Sequence, residues 1–177
     1  MAQKVLPHLS KLSDIASISL PFFDKHIKSI LPHSIRGKEF LKEYDSVEDE
    51  LSRVIPEEVY CVLDAMEFAV QSNFFSNIVM TLLESVAFSE RSVQQQVLSQ
   101  VGEMMLMQHQ SYSKIGLGHF LTDQIVDLLM SFGPKKGIYG ARTSGGGSGG
   151  TIVILCDQAA LPIIQEIANE YKTNVII

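Results

Sequence analysis

The stretch Tyr139-Gly140-Ala141-Arg142-Thr143-Ser144-Gly145-Gly146-Gly147-Ser148-Gly149-Gly150 runs directly into Thr151-Ile152-Val153-Ile154-Leu155-Cys156. Five of the six residues from Gly145 to Gly150 are glycine. Glycine has no Cβ, so it takes positive φ easily and lets backbones approach closely, at an entropic cost in the folded state. A run of Gly and Ser also suits a flexible linker. The flanks favour a shaped turn over a linker. Ile138 to Thr143 alternates in character, and Thr151 to Cys156 is β-branched and apolar, so both read as strands. Backbone N–H groups in a turn between two strands can converge on an anion or on a neighbouring phosphate loop.

Working outward from the turn, Gln158 to Lys172 reads as an amphipathic helix burying Leu161, Ile164, Ile167, Ala168 and Tyr171, with Pro162 in its first turn. Thr173 to Ile177 reads as a last strand. Upstream, a helix buries Leu121, Ile125, Leu128, Leu129 and Phe132 and stops at Gly133-Pro134. Before it, Ser92-Val93-Gln94-Gln95 has the form of a capping box. That helix has the apolar face Val93, Val97, Leu98, Val101, Met104 and Met105, and Ser111-Tyr112-Ser113 closes it. Pro56-Glu57-Glu58 reads as a helix start, with Val59, Val62, Leu63, Met66 and Val70 buried behind it. Asn73 restarts a helix through Phe74, Ile78, Leu82, Leu83 and Val86. Lys38 to Tyr44 is a short helix and Asp45 to Arg53 a polar connection. Phe22, Phe23, Ile27, Ile30 and Leu31 lie at helical spacing before Pro32. Ile15 to Ser19 fits either a helical stripe begun at Leu6 or a short strand.

Helices therefore fill the first two thirds, and the end reads strand, glycine turn, strand, helix, strand. This is an α+β arrangement. The terminal unit fits a ferredoxin-like sandwich with an antiparallel sheet, with Ile15–Ser19 a candidate for its remaining strand. The 177 residues form one expected domain, with residues 1–20 the least defined part.

Composition narrows the function classes. With 46% hydrophobic residues the chain can build a core, and its net charge of −6 provides no basic excess to neutralise nucleic-acid phosphates. Residues 1–37 carry five Lys/Arg against two acids, residues 38–103 four against thirteen, and the remainder five of each. The acidic middle reads as a solvated helical surface. Cys61 and Cys156 lie far apart in apolar surroundings and read as two buried free thiols of a reducing compartment. No long apolar run suggests a membrane span, and Met1-Ala2-Gln3-Lys4 opens no signal peptide, so the expected location is cytoplasmic. His8, His26 and His33 lack metal-pair spacing and read as surface residues, so no metal site is expected. His109 and His119 have no acid or nucleophile partner identifiable in sequence.

One ordered set of motifs goes beyond these patterns. Gly102-Glu103-Met104-Met105 leads to Gln108-His109-Gln110-Ser111-Tyr112-Ser113, then Gly116-Leu117-Gly118, Thr122-Asp123, Gly137-Ile138-Tyr139-Gly140-Ala141-Arg142 and Gly145 to Gly150. Leu31-Pro32 and Gly37-Lys38-Glu39-Phe40-Leu41-Lys42-Glu43-Tyr44 precede them. This order resembles the C-terminal domain of the GHMP small-molecule kinases, in the branch of the galactokinase-like and L-arabinokinase-like sugar kinases. The resemblance covers roughly Pro21 to Ile177. It implies that Gly145, Gly146, Gly147, Ser148 and Gly149 form the family's third motif, packed against the nucleotide phosphate loop. It implies a substrate-side place for Ser111 and Tyr112, which from the residues alone are simply a helix C-terminus. Arg142 stands where that branch usually has Lys, and Ser144 where it usually has Thr. His119 and Phe120 replace the branch's small or acidic residues.

The family's N-terminal domain carries the phosphate loop, the catalytic base and most nucleotide contacts, and no matching motif occurs here before Gly116. Before Gly102 the only glycine is Gly37. The resemblance thus implies an ATP- and Mg²⁺-dependent sugar kinase in the intact enzyme, acting on a sugar hydroxyl, the anomeric one in this branch. The missing N-terminal domain is the implied partner, no catalytic residue is assigned to this chain, and the lone chain is expected to be inactive. The alternative is a non-catalytic ferredoxin-like binding or dimerisation module, forming a homodimer through an apolar surface.

Overall fold

The computed structural model describes residues 12–44, 47, 53–145 and 150–174. The chain divides into two compact units, Met1–Phe74 and Phe75–Ile177. Together they give the α+β arrangement expected from the sequence, with short antiparallel pairs among helices.

In the first unit, α1 (Leu12–Ala16) is followed by α2 (Leu20–His26), with Pro21 in its first turn. Ile15 and Ala16 are therefore helical, and Ser17 and Ile18 turn; the strand reading of Ile15–Ser19 is corrected. Phe23, Ile27 and Leu31 project at four-residue steps onto Leu63, Met66 and Val70, which makes the core of this unit. β1 (Ile35–Arg36) pairs antiparallel with β2 (Val59–Tyr60), and α3 (Gly37–Tyr44) follows β1 directly.

The helix start expected at Pro56-Glu57-Glu58 is a turn leading into β2. The reason lies in the backbone. Gly37 N–H donates to the Glu58 carbonyl at 2.8 Å, and Lys38 N–H to the Pro56 carbonyl at 2.9 Å. These long-range bonds hold the segment extended, and tertiary pairing overrides the local helix signal. Val59 is exposed as a result. The helix starts instead at Val62, whose N–H, with that of Leu63, donates to the His33 carbonyl. Cys61 just ahead of it is exposed, not buried, while Cys156 is half-buried. Burial pushes the Cys156 thiol pKa up.

That helix, α4 (Val62–Val86), runs unbroken through Asn73, so no restart occurs there. Its second half leaves Phe74, Met80 and Leu83 exposed.

In the second unit, α5 (Arg91–Lys114) and α6 (Phe120–Phe132) pack against β3 (Ile138–Ser144). β3 forms an antiparallel hairpin with β4 (Thr151–Cys156), and α7 (Leu161–Asn174) closes the described chain. The capping box at Ser92 is not formed: Glu90 occupies the N-cap without a side-chain hydrogen bond, and Ser92 lies inside the helix. Val93 is exposed accordingly. Thr173 and Asn174 belong to α7 and not to a strand; Val175, Ile176 and Ile177 lie outside the described residues.

The core of this unit joins Val126 and Leu129 of α6, Ile138 and Ala141 of β3, and Ala160 and Ile167 beside and within α7. Leu161, expected inside, is half exposed. The β3–β4 register is regular from Gly140↔Leu155 to Ser144↔Thr151, with a bulge between Ile138 and Gly140. Tyr139 sits in that bulge, buried, and its hydroxyl donates to Asp157 Oδ2 at 2.9 Å. Asp157 also pairs with Arg91 at the start of α5. The Arg91 hydrogen bond, helped by that of Tyr139, holds the Asp157 carboxyl below the usual range.

Candidate functional site

The hairpin delivers the chain to Gly145 and takes it up again at Gly150, both at positive φ of +86° and +113°. Among the described residues neither glycine has anything near a Cβ position, so conformation is what requires glycine at these two places. Gly146, Gly147, Ser148 and Gly149 lie outside the described residues.

One face of α5 runs along β3 toward this turn. Gly102 meets the Tyr139 carbonyl and the Gly140 backbone, and Met105 lies beside Gly140. Further along, His109 reaches Thr143, and the Tyr112 hydroxyl donates to the Gly145 carbonyl. The four helical positions step by three, four and three residues, which keeps them on one face. The lengths also match. Ten helical residues rise about 15 Å, and the five strand residues from Gly140 to Gly145 span about 16 Å. The helix and strand therefore run side by side in the same direction and stay in register up to the turn.

At the turn's entrance lies a polar cluster. His109 is buried, at 5% exposure. Its Nδ1 is 3.3 Å from the Thr143 amide nitrogen and 3.2 Å from Thr143 Oγ1. Its Nε2 is 3.3 Å from Asp123 Oδ1, on α6. The Ser113 hydroxyl donates to the same carboxylate oxygen at 3.2 Å. Thr143 is fully buried. His119 caps α6: its Nδ1 accepts from Leu121 N–H, and its carbonyl accepts from the Thr122 hydroxyl at 2.7 Å.

Arg142 points the other way along the strand alternation. It is half-buried, and its Nε donates to the Thr143 carbonyl at 3.1 Å. No ion pair involves it among the described residues. Burial lowers the pKa of its guanidinium, partly offset by the nearby Tyr112.

Of the residues expected at a site, Gly145, Tyr112 and Arg142 gather at the hairpin end. Ser111 is half-buried one residue before Tyr112, near the C-terminal end of α5. The sequence reading left His109 and Asp123 unpaired; the structure joins them. The signal available was the spacing Gly102, Met105, His109, Tyr112, a helical face carrying a buried polar group where an apolar one would be ordinary. Among the described residues, no group of three or more His, Cys, Asp or Glu side chains could hold a metal ion. No helix among them is long and apolar enough to cross a membrane.

Residues 89–173, just under half of the chain, match the family model of the GHMP kinases C terminal. The chain is 26% identical over 152 residues to an L-arabinokinase of Arabidopsis thaliana. The match covers 82% of this chain and 14% of the relative, so the chain spans about one seventh of that protein's length.

Proposed function

We propose that this chain acts as the C-terminal domain of an ATP-dependent sugar kinase and that it supplies a wall of the active site without completing it. The observation that carries the reading is the matched α5–β3 face, which ends at Gly145 where the family's glycine motif begins. The similarity to an L-arabinokinase supports an aldose as the phosphoryl acceptor. The N-terminal domain with the phosphate loop is the partner, and the cytoplasm is the expected compartment.

The residues present fit part of a nucleotide site. Arg142 offers a guanidinium that no described carboxylate neutralises, and glycines such as Gly145 and Gly150, lacking a Cβ, suit close backbone approach to a phosphate loop. Bound Mg²⁺·ATP would supply the transferable phosphoryl group and the charge neutralisation that phosphoryl transfer needs. This chain's own part is narrower. The described residues offer no cluster of metal ligands, so its contribution is to wall and orient the site, with Tyr112 and Arg142 nearest the turn.

Two measurements test the reading. Purified chain with Mg²⁺·ATP and a panel of aldoses, L-arabinose and galactose included, should show no turnover and no submillimolar nucleotide binding. Joined to a GHMP domain that carries a phosphate loop, it should support sugar-dependent ATP consumption. Turnover by the lone chain, or none by the joined one on any aldose, would overturn the proposal.

A further inference from the structure

His109 is a buried titratable group that the functional reading does not use, and its surroundings fix where its proton sits. A backbone N–H can only donate. The Thr143 amide points at His109 Nδ1 from 3.3 Å, so Nδ1 must present its lone pair. A neutral imidazole then carries its proton on Nε2, which faces the Asp123 carboxylate at 3.3 Å. The ring is thus held from both sides, by an acceptor on α6 and a donor on β3. A carboxylate behind an imidazole is the arrangement that fixes tautomer and ring orientation in many sites.

We infer that His109 is a positioning residue, locked in its Nε2–H tautomer by Asp123, whose Nδ1 anchors Thr143 and so sets the direction in which β3 delivers the chain to Gly145. The inference rests on the reading that the turn beginning at Gly145 borders the active site. Two positions beyond Thr143, Tyr112 holds the Gly145 carbonyl, so the strand end is gripped twice from one helix face.

Protonation of the ring would turn Nδ1 into a donor facing another donor, the Thr143 N–H. The Thr143 hydroxyl could rotate to accept, but the amide would lose its partner. The anchor therefore exists only with a neutral ring. Among the described residues, the groups facing His109 include the Asp123 carboxylate from α6, joined by Ser113, and Thr143 from β3. Arg142 is the adjacent strand cation and Tyr112 the nearest titratable group on α5 itself.

Nuclear magnetic resonance on the full chain tests this without any activity. In the wild type the ring ¹⁵N shifts should show Nδ1 unprotonated and Nε2 protonated at neutral pH. The amide resonances of Thr143 and Gly145 should move with the same midpoint as the His109 ring as pH falls. His109→Asn places an oxygen acceptor where Nδ1 was and should keep the neutral-pH amide pattern while abolishing its pH dependence. His109→Gln reaches Asp123 but lacks that acceptor, and should shift both amides at every pH. A protonated Nδ1, or Thr143 and Gly145 amides indifferent to the ring's titration, would overturn the inference. The wild-type tautomer alone decides if either variant fails to fold. Because no step involves kinase turnover, failure here is separable from failure of the kinase reading.

Discussion

Gly102 of α5 and Gly140 of β3 meet backbone against backbone: a Cβ built on Gly140 would stand 2.5 Å from the Gly102 Cα, and one built on Gly102 would fall on the Tyr139 carbonyl oxygen. Helix and strand can run this close only because both side chains are hydrogen. Gly102→Ala is expected to destabilise by about 3 kcal/mol or more, since backbone must move to admit the methyl. Gly145→Ala meets none of the described residues and should cost only about 1–2 kcal/mol, the strain of a left-handed backbone. Urea unfolding midpoints of the two variants check the order. Gly145→Ala costing more than Gly102→Ala would show that the close crossing is not what requires the glycine.

The sequence made the hairpin, its flanking helices and their order legible, because strand alternation and helical periodicity are local signals. The Phe23, Ile27, Leu31 and Leu63, Met66, Val70 sets were readable for the same reason. Pro56-Glu57-Glu58 misled because its carbonyls are taken by Gly37 and Lys38, some twenty residues earlier in the chain. Asn73 misled because its helix propensity is only modestly below average, and α4 runs through it as an exposed residue. Ile15–Ser19 held two periodicities and only structure could choose between them. The family resemblance pointed to Tyr112 and Arg142, and the structure brings both to the hairpin end. The His109–Asp123 pair was not legible, because it joins two helices across a turn that fixes no distance in sequence.

Core and rim leucines should separate clearly. Leu129 of α6 is 1% exposed and Leu161 at the start of α7 is 50% exposed. Leu129→Ala should cost about 2–5 kcal/mol through lost burial and a residual cavity, and Leu161→Ala less than about 1 kcal/mol. Thermal unfolding of the two variants measures the difference. Equal losses would mean that Leu161 is covered in solution by something absent from this arrangement.

Asp157 gives the fold an acid-sensitive tie. Its carboxyl is held below the ordinary value by Arg91 first and by Tyr139 as well. The sign follows from that depression. The charged form is favoured by folding, so its contribution is fully present above the ordinary carboxyl range near pH 4. It is lost as pH falls from there through the folded-state value. Asp157→Asn keeps an acceptor for the Tyr139 hydroxyl and loses the ion pair. The wild type should therefore be the more stable of the two at pH 7, with the gap closing as the pH approaches 2. Urea midpoints measured across that range check it; a gap that widens toward acid would reverse the assignment.

Arg142 should separate function from stability. It is half-buried, its one described hydrogen bond is to the neighbouring Thr143 carbonyl, and no described carboxylate pairs with it. Removing such a cation relieves its desolvation and breaks one bond, so Arg142→Ala should change unfolding free energy by less than about 1 kcal/mol. In an assembled kinase the same change removes a cation beside the glycine turn, where charge would develop on a transferred phosphoryl group. A loss of roughly a hundredfold in turnover is expected there. Arg142→Lys keeps the charge but not the planar fork, and should recover only part of the rate. A variant with full turnover would remove Arg142 from the site, and one that unfolds would make it a structural residue of β3.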